Sequence, residues 1–444
     1  MKIPKKLGLI LRAAFAVFAV CFAALFFFWP AMQTFLAVRD KTLAEAGISR
    51  YVPRWFESLS PRFESWADSY MESGYGAKAD SEDVAATEWP IFGVVFYLRT
   101  AADLHHAGLI DATKQPYAGA VRKALEVAVS PEAGTWTRVK WGEEYLSREN
   151  LFYRMLLIMA LASYEEITGD KVGHEFMALQ RGALNAEMLA APNNVLNDYP
   201  EECWPCDLVW AAAAIKQAAR LEGADDGGLG ESLMRNLDGP LSTNGLPFYK
   251  IEFFGSSDAV FLEPRGCGNS SALIFAPDAD AQTAAKWFDV YARDYWRQNA
   301  WVCGFRETPR DSGRTIQDID SGLVIGGFGS MASAFGIGAA RANGRYDIAR
   351  PLTLEAVAAS WPTPFGFALP RLMGRVSMGG DPLGEAALLF SMSRPDRTGA
   401  PLPAPPYVPL SVRCAIAFYA LTGLYIVSVG IRVLMKKRKP PQNS

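Results

Sequence analysis

The stretch DYPEECWPCDLVWAAAA, residues 198–214, sets Asp198, Glu201, Glu202 and Asp207 around Cys203 and Cys206, with Trp204 between the cysteines. That grouping suits a metal clip, a redox dithiol, a structural disulfide or one wall of a catalytic pocket. A zinc clip needs a second close pair, and none exists: Cys21 and Cys414 fall in apolar terminal runs, leaving only Cys267 and Cys303, far apart. The three histidines, His105, His106 and His174, have no metal-ligand spacing with a cysteine. A helix starting at Cys206 would favour its thiolate, but a redox dithiol belongs after a β-strand in a βαβ unit, and this pair follows a Pro-Glu-Glu loop. A disulfide, within the pair or to Cys267 or Cys303, is permitted outside the cytoplasm. The leading reading is a cavity lip, with Cys206 and Asp207 at a helix start and the glutamates leaning over the opening.

Two further clusters could join that lip. Glu88-Trp89-Pro90 opens an apolar helix and reads either as an acidic first turn or as a pocket carboxylate beside an aromatic wall. The stretch GFRETPRDSGRTIQDIDSG (304–322) concentrates Arg306, Glu307 and Asp320 ahead of a small-residue helix. It is either a solvated loop or a polar funnel floor. The glycines of GGFGSMASAFGIG lack the βαβ setting of a dinucleotide site and indicate close helix packing. No phosphate loop or serine nucleophile motif is present, and no cofactor or metal is expected. Carboxyl groups facing aromatic rings suit reactions in which one acid protonates a leaving oxygen and a second carboxylate handles the cationic centre. Elimination of water from an alcohol and cleavage of a glycosidic bond both follow that logic.

Such residues, far apart in the chain, need a scaffold that converges them. Apolar periodicity predicts helices over 83–106, 116–129, 148–167, 171–190, 207–221, 279–297, 322–342, 346–360 and 384–393. Residues 239–268 read as a short hairpin or ordered lid. Many helices joined by Trp-, Pro- and acid-rich loops predict a mainly α protein, an α/α barrel (toroid) of six helix pairs. One transmembrane helix is expected at each end, because residues 13–32 and 414–431 are long uncharged runs. The uncharged run 321–340 is Gly- and Ala-rich and is assigned to the soluble core. Lys2, Lys5, Lys6 and Arg12 flank the first span and Arg432, Lys436, Lys437, Arg438 and Lys439 the last, so both termini are expected in the cytoplasm and the main domain in the periplasm or outside. The expected division is an N-terminal tip and anchor (1–38), the barrel (39–394), a stiff Pro-rich link (395–410), a second span (411–435) and a basic tail (436–444). With a net charge of -3 over 444 residues, nucleic acid is not an expected partner. The bilayer and a small-molecule or glycan substrate are.

Between Trp89 and Arg394 the sequence resembles the linalool dehydratase/isomerase family, through ENLFY (149–153), TGD (168–170), the Cys206-Asp207 step, RET (306–308) and DIDSG (318–322). The resemblance implies an α/α barrel and dehydration or isomerisation of an isoprenoid-type alcohol. Its second pocket cysteine falls on Cys206 and its first near Asn197 or on Cys203, while the family histidine falls at Leu156. Acid, base or hydroxyl-orienting roles then go to Cys206, Glu202, Asp320 and Tyr249. Under the alternative, a periplasmic glycoside hydrolase or transglycosylase, Glu202, Glu307 and Asp320 supply the acid, the base and an orienting partner. A third reading is a non-catalytic glycan- or lipid-binding protein. Substrate contacts are expected from Glu88, Trp89, Glu149, Asn150, Tyr153, Tyr199, Cys203, Trp204, Asp207 and Arg306.

Overall fold

The computed structural model describes residues 5–254, 258–374 and 382–436, so Lys2, Lys437, Arg438 and Lys439 of the charge argument lie outside the described residues. A long helix α1 (Lys6–Arg39) precedes twelve barrel helices. These are α2 (Tyr51–Ser73), α3 (Val84–His106), α4 (Ala118–Ala128), α5 (Leu151–Thr168), α6 (His174–Ala190) and α7 (Pro205–Glu222). They continue as α8 (Leu229–Asp238), α9 (Gly266–Ala279), α10 (Ala281–Tyr295), α11 (Ser330–Ala342), α12 (Tyr346–Ala359) and α13 (Leu383–Ser393), and α14 (Leu410–Met435) ends the described chain. The odd-numbered helices α3 to α13 form an inner ring in which each touches the next and α13 closes back onto α3. The even-numbered helices α2 to α12 pack outside. This is an α/α barrel of six helix pairs.

The local sequence explains the two layers. Inner helices α3 and α5 are buried on nearly every face, as a helix walled by neighbours must be. Outer helix α10 instead buries one stripe, Ala284, Trp287, Phe288, Tyr291 and Tyr295, at helical spacing. Asp83 and Asp280 accept backbone N–H groups at the starts of α3 and α10, and left-handed Gly169 and Gly223 end α5 and α7.

Each of the nine predicted helices overlaps a helix of the structure. The largest offset is at α11, which starts at Ser330 because residues 324–329 instead form a two-stranded turn through left-handed Gly326 and Gly327. The 321–340 run ends inside the protein: Gly338 lies against Ile274 of α9 and the Ser391 backbone of α13. The 239–268 segment contains the strands Lys250–Phe254 and Asp258–Leu262, joined by a third strand, Glu202–Cys203. Helices α2, α8 and α9 were not foreseen. The Pro-rich link does not stand off as a spacer: Leu402 pairs with Gly344 and Tyr346, and Ala404 donates to Ala44.

Helices α1 and α14 are long and apolar enough to cross a membrane. They pack antiparallel through small residues, with Gly430 against Ala16 and Ala19 and Gly423 against the Phe28 ring. A π-helical turn, Ala24–Phe28, interrupts α1, and the Phe26 carbonyl accepts the Trp361 indole N–H at 2.7 Å.

At the barrel end opposite the inner-helix N-termini, Arg394 is fully buried. It bonds Asp278 at 2.9 Å and the Ile274 carbonyl, lies 3.8 Å from Asp103 and stacks on Phe275. One guanidinium thereby joins α3, α9 and α13. Removing it leaves Asp278 only Arg397, at 3.1 Å, and Asp103 only Arg99, at 3.9 Å, as cationic partners among the described residues, so Arg394→Ala is expected to lose about 1.5–3 kcal/mol in denaturant unfolding. A loss below about 1 kcal/mol would show that the cation is dispensable.

Candidate functional site

All six inner helices start at the same end of the barrel, and their first turns line one cavity of about 350 Å³. Residues one turn apart contribute together: Glu88, Phe92 and Phe96 from α3, Cys206 and Trp210 from α7, Cys267 and Ser271 from α9, and Met331 and Phe335 from α11. Phe152 of α5 and Leu383 of α13 complete the wall. Trp89 of α3 stands at the mouth, and the connections above the helices bring Lys140, Tyr199, Glu202, Trp204, Tyr249, Ile319 and Asp320 to it.

The 198–207 segment is shaped by a tight turn. Glu202 and Tyr199 exchange backbone hydrogen bonds, Glu201 takes a left-handed φ of 67°, and Pro205 opens α7 where no N–H is needed. The two cysteines therefore diverge. Cys203 is fully buried beneath the strand pairing of Glu202 with Glu252, whereas Cys206 faces the cavity, its thiol 3.6 Å from Asp207. Both are free thiols, as are Cys267 and Cys303, so the disulfide considered for them is not formed.

Three carboxyl groups from separate elements act on one another across the cavity. Glu88 accepts a hydrogen bond from the Tyr199 hydroxyl, and burial, with a smaller push from Asp320, raises its pKa to about 7. Asp207 is raised to about 8 by burial and then by Glu88, with Asp320 adding to it. Its place in the first turn of α7 does not outweigh those two effects. Behind them Asp198 is buried, takes the Trp204 N–H at 2.6 Å, and is held far above the usual carboxylate range by burial and by Asp207. Asp320 accepts from the Tyr249 hydroxyl, whose own pKa burial pushes far up, so the phenol remains a donor.

A single arginine organises the Asp320 side. Arg265 grips Asp318 through two nitrogens at 2.6 and 2.9 Å, bonds Glu307 at 2.9 Å and stacks 4.4 Å from the Tyr249 ring centroid. Asp318 and Tyr249 are thus fixed together, which sets where Asp320 can point. Opposite, Lys250 bridges Glu202 at 2.6 Å and Glu252 at 2.8 Å while lying over the Trp204 ring.

Of the residues singled out in the sequence, Glu88, Trp89, Tyr199, Glu202, Trp204, Cys206, Asp207, Tyr249 and Asp320 converge on this cavity. Glu307 does not line it. Its carboxylate is buried behind the wall, accepting from Arg265 and from the Cys267 N–H and thiol, which is a structural assignment. Cys203 is in the core. Glu149 and Asn150, both with positive φ, form the turn before α5, where Asn150 donates to the Tyr145 carbonyl and the Glu149 N–H is held by Glu187. Tyr153 is buried against Trp136 and Tyr145. Arg306 packs its guanidinium under Gly327. Lys140, Cys267, Trp210 and the phenylalanines were not foreseen. Spacing would have found the aromatics, since Phe92 and Phe96 repeat the helical face of Glu88, but nothing local marks Lys140.

No protein-family profile matches the chain, and no curated protein matches it. Solved structures that it resembles include a family 76 glycoside hydrolase from a bovine Bacteroides thetaiotaomicron strain, 10% identical, with a TM-score of 0.41 over 68% of this chain and 68% of that one. Another is an inactive variant, with two aspartates replaced by alanine, of the alpha-1,6-mannanase GH76A of Salegentibacter sp. HEL1_6 in complex with alpha-1,6-mannotetrose. It is 10% identical, with a TM-score of 0.42 over 74% of this chain and 98% of that one. The unsubstituted mannanase gives 10% identity and a TM-score of 0.40 over 75% and 98%. These named neighbours are glycoside hydrolases, and the resemblance to linalool dehydratase/isomerase proteins is corrected accordingly. The residues behind that resemblance agree with the correction. Leu156, where the histidine would fall, is fully buried, and of the 149–153 motif Phe152 alone reaches the cavity wall, while Glu149 and Asn150 form a turn and Leu151 and Tyr153 lie in the core.

The raised carboxyls have a thermodynamic signature. Between about pH 4 and pH 8 the folded cavity holds protons that the unfolded chain releases, so stability falls as pH rises through that window. Urea midpoints are expected to be lower at pH 8 than at pH 5.5, and the Glu88→Gln, Asp207→Asn double variant is expected to flatten the difference. A midpoint that climbs over this range would contradict the assignment.

Proposed function

We propose that the protein is a membrane-anchored, glycan-active enzyme of glycoside hydrolase type, acting through carboxyl groups at the barrel mouth. The observation that supports this most directly is the pairing of Glu88, Asp207 and Asp320 with the indoles of Trp89, Trp204 and Trp210 around one open cavity. Sugar rings present C–H faces to aromatic planes and hydroxyls to carboxylates, and an oxocarbenium-like centre gains from both.

Glu88 is assigned as the general acid. A pKa of about 7 lets it give its proton to the leaving glycosidic oxygen at neutral pH and regain one afterwards. Asp320, held by the Tyr249 hydroxyl, is assigned as the carboxylate facing the developing cation, and Tyr249 and Arg265 as its positioning residues. Asp207 keeps the acid side proton-rich. As the C–O bond breaks, the leaving oxygen takes the Glu88 proton. Water then completes the sugar at the anomeric carbon, and its spare proton restores the acid.

The anchoring follows from the same chain. The basic residues Lys6, Arg12, Arg432 and Lys436 cluster at the ends of α1 and α14 remote from the barrel, and the Arg12 guanidinium reaches the Lys436 carbonyl. By the charge rule those ends lie in the cytoplasm and the barrel on the opposite side, periplasmic or extracellular.

The test is product analysis of the full chain in detergent with alpha-1,6-mannotetraose and with muramyl-glucosaminyl chains. Release of shorter sugars is expected from one of them. Glu88→Gln and Asp320→Asn are each expected to lower kcat by about 10²–10⁴-fold while leaving glycan binding measurable. Binding without turnover in the unsubstituted protein would instead identify a glycan-binding protein.

A further inference from the structure

The barrel and the helix pair share a direction. Helix α11 begins at the cavity with Met331, so its end and the start of α12 lie at the closed end, and α12 climbs back toward the mouth. Helix α1 runs beside α12: the Val38 carbonyl meets Arg350 near the start of α12, and the Phe26 carbonyl meets Trp361 just past its end. Helix α14 follows the same side, with Ser411 on Glu355 and the Tyr419 hydroxyl on the Ala358 carbonyl. Beyond Phe26 and Tyr419 the two helices continue past the barrel on the mouth side. The continuation from Lys6 to Phe26 is about 30 Å long, the thickness of a bilayer's hydrocarbon core.

The mouth on that side is apolar. The connection from α12 to α13 exposes Phe365, Leu369 and Leu372, the last 61% accessible, and the connection before α11 exposes Ile319, Leu323 and Ile325, the last 67% accessible. The first of these connections meets α1 through its strand Pro362–Thr363. Trp361 stands at the junction, its ring against Phe27, Phe418 and Tyr419, where aromatic residues mark a membrane interface. Ile319 belongs to both surfaces, since it also lines the cavity.

We infer that the barrel mouth is docked on the bilayer that holds α1 and α14, and that the cavity receives the sugar portion of a glycan anchored in that bilayer by a lipid. The second half rests on the glycan reading above; the first does not. A lipid-linked sugar would have its scissile bond held near the interface, and the rim would shelter the path between lipid surface and carboxyls. Confinement to one surface raises the effective substrate concentration without any added contact in the cavity.

The experiment uses the full chain with Cys21→Ala and Cys414→Ala, reconstituted in phosphatidylcholine/phosphatidylglycerol vesicles. Spin labels are placed at Leu372→Cys, at Ile325→Cys or, at the closed end, at Val172→Cys, with the protein lacking a new cysteine as the labelling control. Labels at 372 and 325 are expected to collide with oxygen more than with a water-soluble nickel chelate, and the label at 172 to show the reverse. If 372 and 325 behave like 172, the docking is wrong whatever the enzyme cleaves. In a second arm, alpha-1,6-mannotetraose and muramyl-glucosaminyl chains are supplied free or carried on polyprenyl pyrophosphate in the vesicles. The carried form is expected to react at least about tenfold faster at equal bulk concentration, and Leu372→Asp to remove that advantage while leaving the free rate unchanged. Equal rates overturn the lipid-anchored substrate. No turnover of either form, with both rim labels in lipid, sinks the glycan reading and leaves the docking standing.

Discussion

Closing six inner helices into a ring forces their N-termini together, and the rest of the molecule follows from that constraint. Each N-terminus carries unpaired backbone N–H groups and a partial positive charge, so the common end of the ring tolerates acidic and polar side chains that the barrel middle would not. The opposite end has the complementary problem of carbonyl ends. There Arg394 and Arg341 are buried and donate to the Ile274, Arg394 and Gly47 carbonyls. The two ends therefore differ, with Glu88, Asp207 and Asp320 meeting at the mouth and Arg394 and Arg341 buried at the closed end. The cavity's chemistry is an outcome of topology as much as of any one motif.

Crowding carboxyls at one place has an electrostatic cost that the protein handles in two ways. On the Glu88 and Asp207 side, burial and like charge keep protons on the groups. On the Asp320 side, Arg265 neutralises the neighbourhood by holding Asp318 and Glu307. The cavity thus presents two different carboxyl environments, one buried among like charges and one beside Tyr249 and Arg265. Arg265 belongs to the second environment without lining the cavity.

How much of this was legible in the sequence depended on distance along the chain. The barrel was readable because apolar periodicity is local: α3, α5 and α7 announce themselves. Helix α2 was not, since Pro61 and a mixture of charged and aromatic residues obscure its stripe, and α9 was hidden by the glycines of its first turn and by Pro277 near its end. The 198–207 lip was legible because its turn, its Pro205 and its carboxylates are contiguous. Glu307 was misread for the converse reason. Its partner Arg265 lies 42 residues away, and nothing nearby indicates that its charge is already taken. The family motifs misled in the same manner, because a turn-forming Glu149-Asn150 pair looks identical in sequence to a reactive one.

The course of α1 and α14 along α12 also changes what these two long apolar helices are. Arg350 donates to Val38 at the base of α1 and to Pro405 and Tyr407 of the Pro-rich strap, while Val412 is fully buried against the barrel. The lower halves of both helices therefore serve as an outer wall for α12. A soluble fragment trimmed at the conventional edges of the hydrophobic runs would strip insulation from one sixth of the toroid, so surfactant or lipid in the preparation substitutes for missing protein rather than merely keeping two tails dispersed.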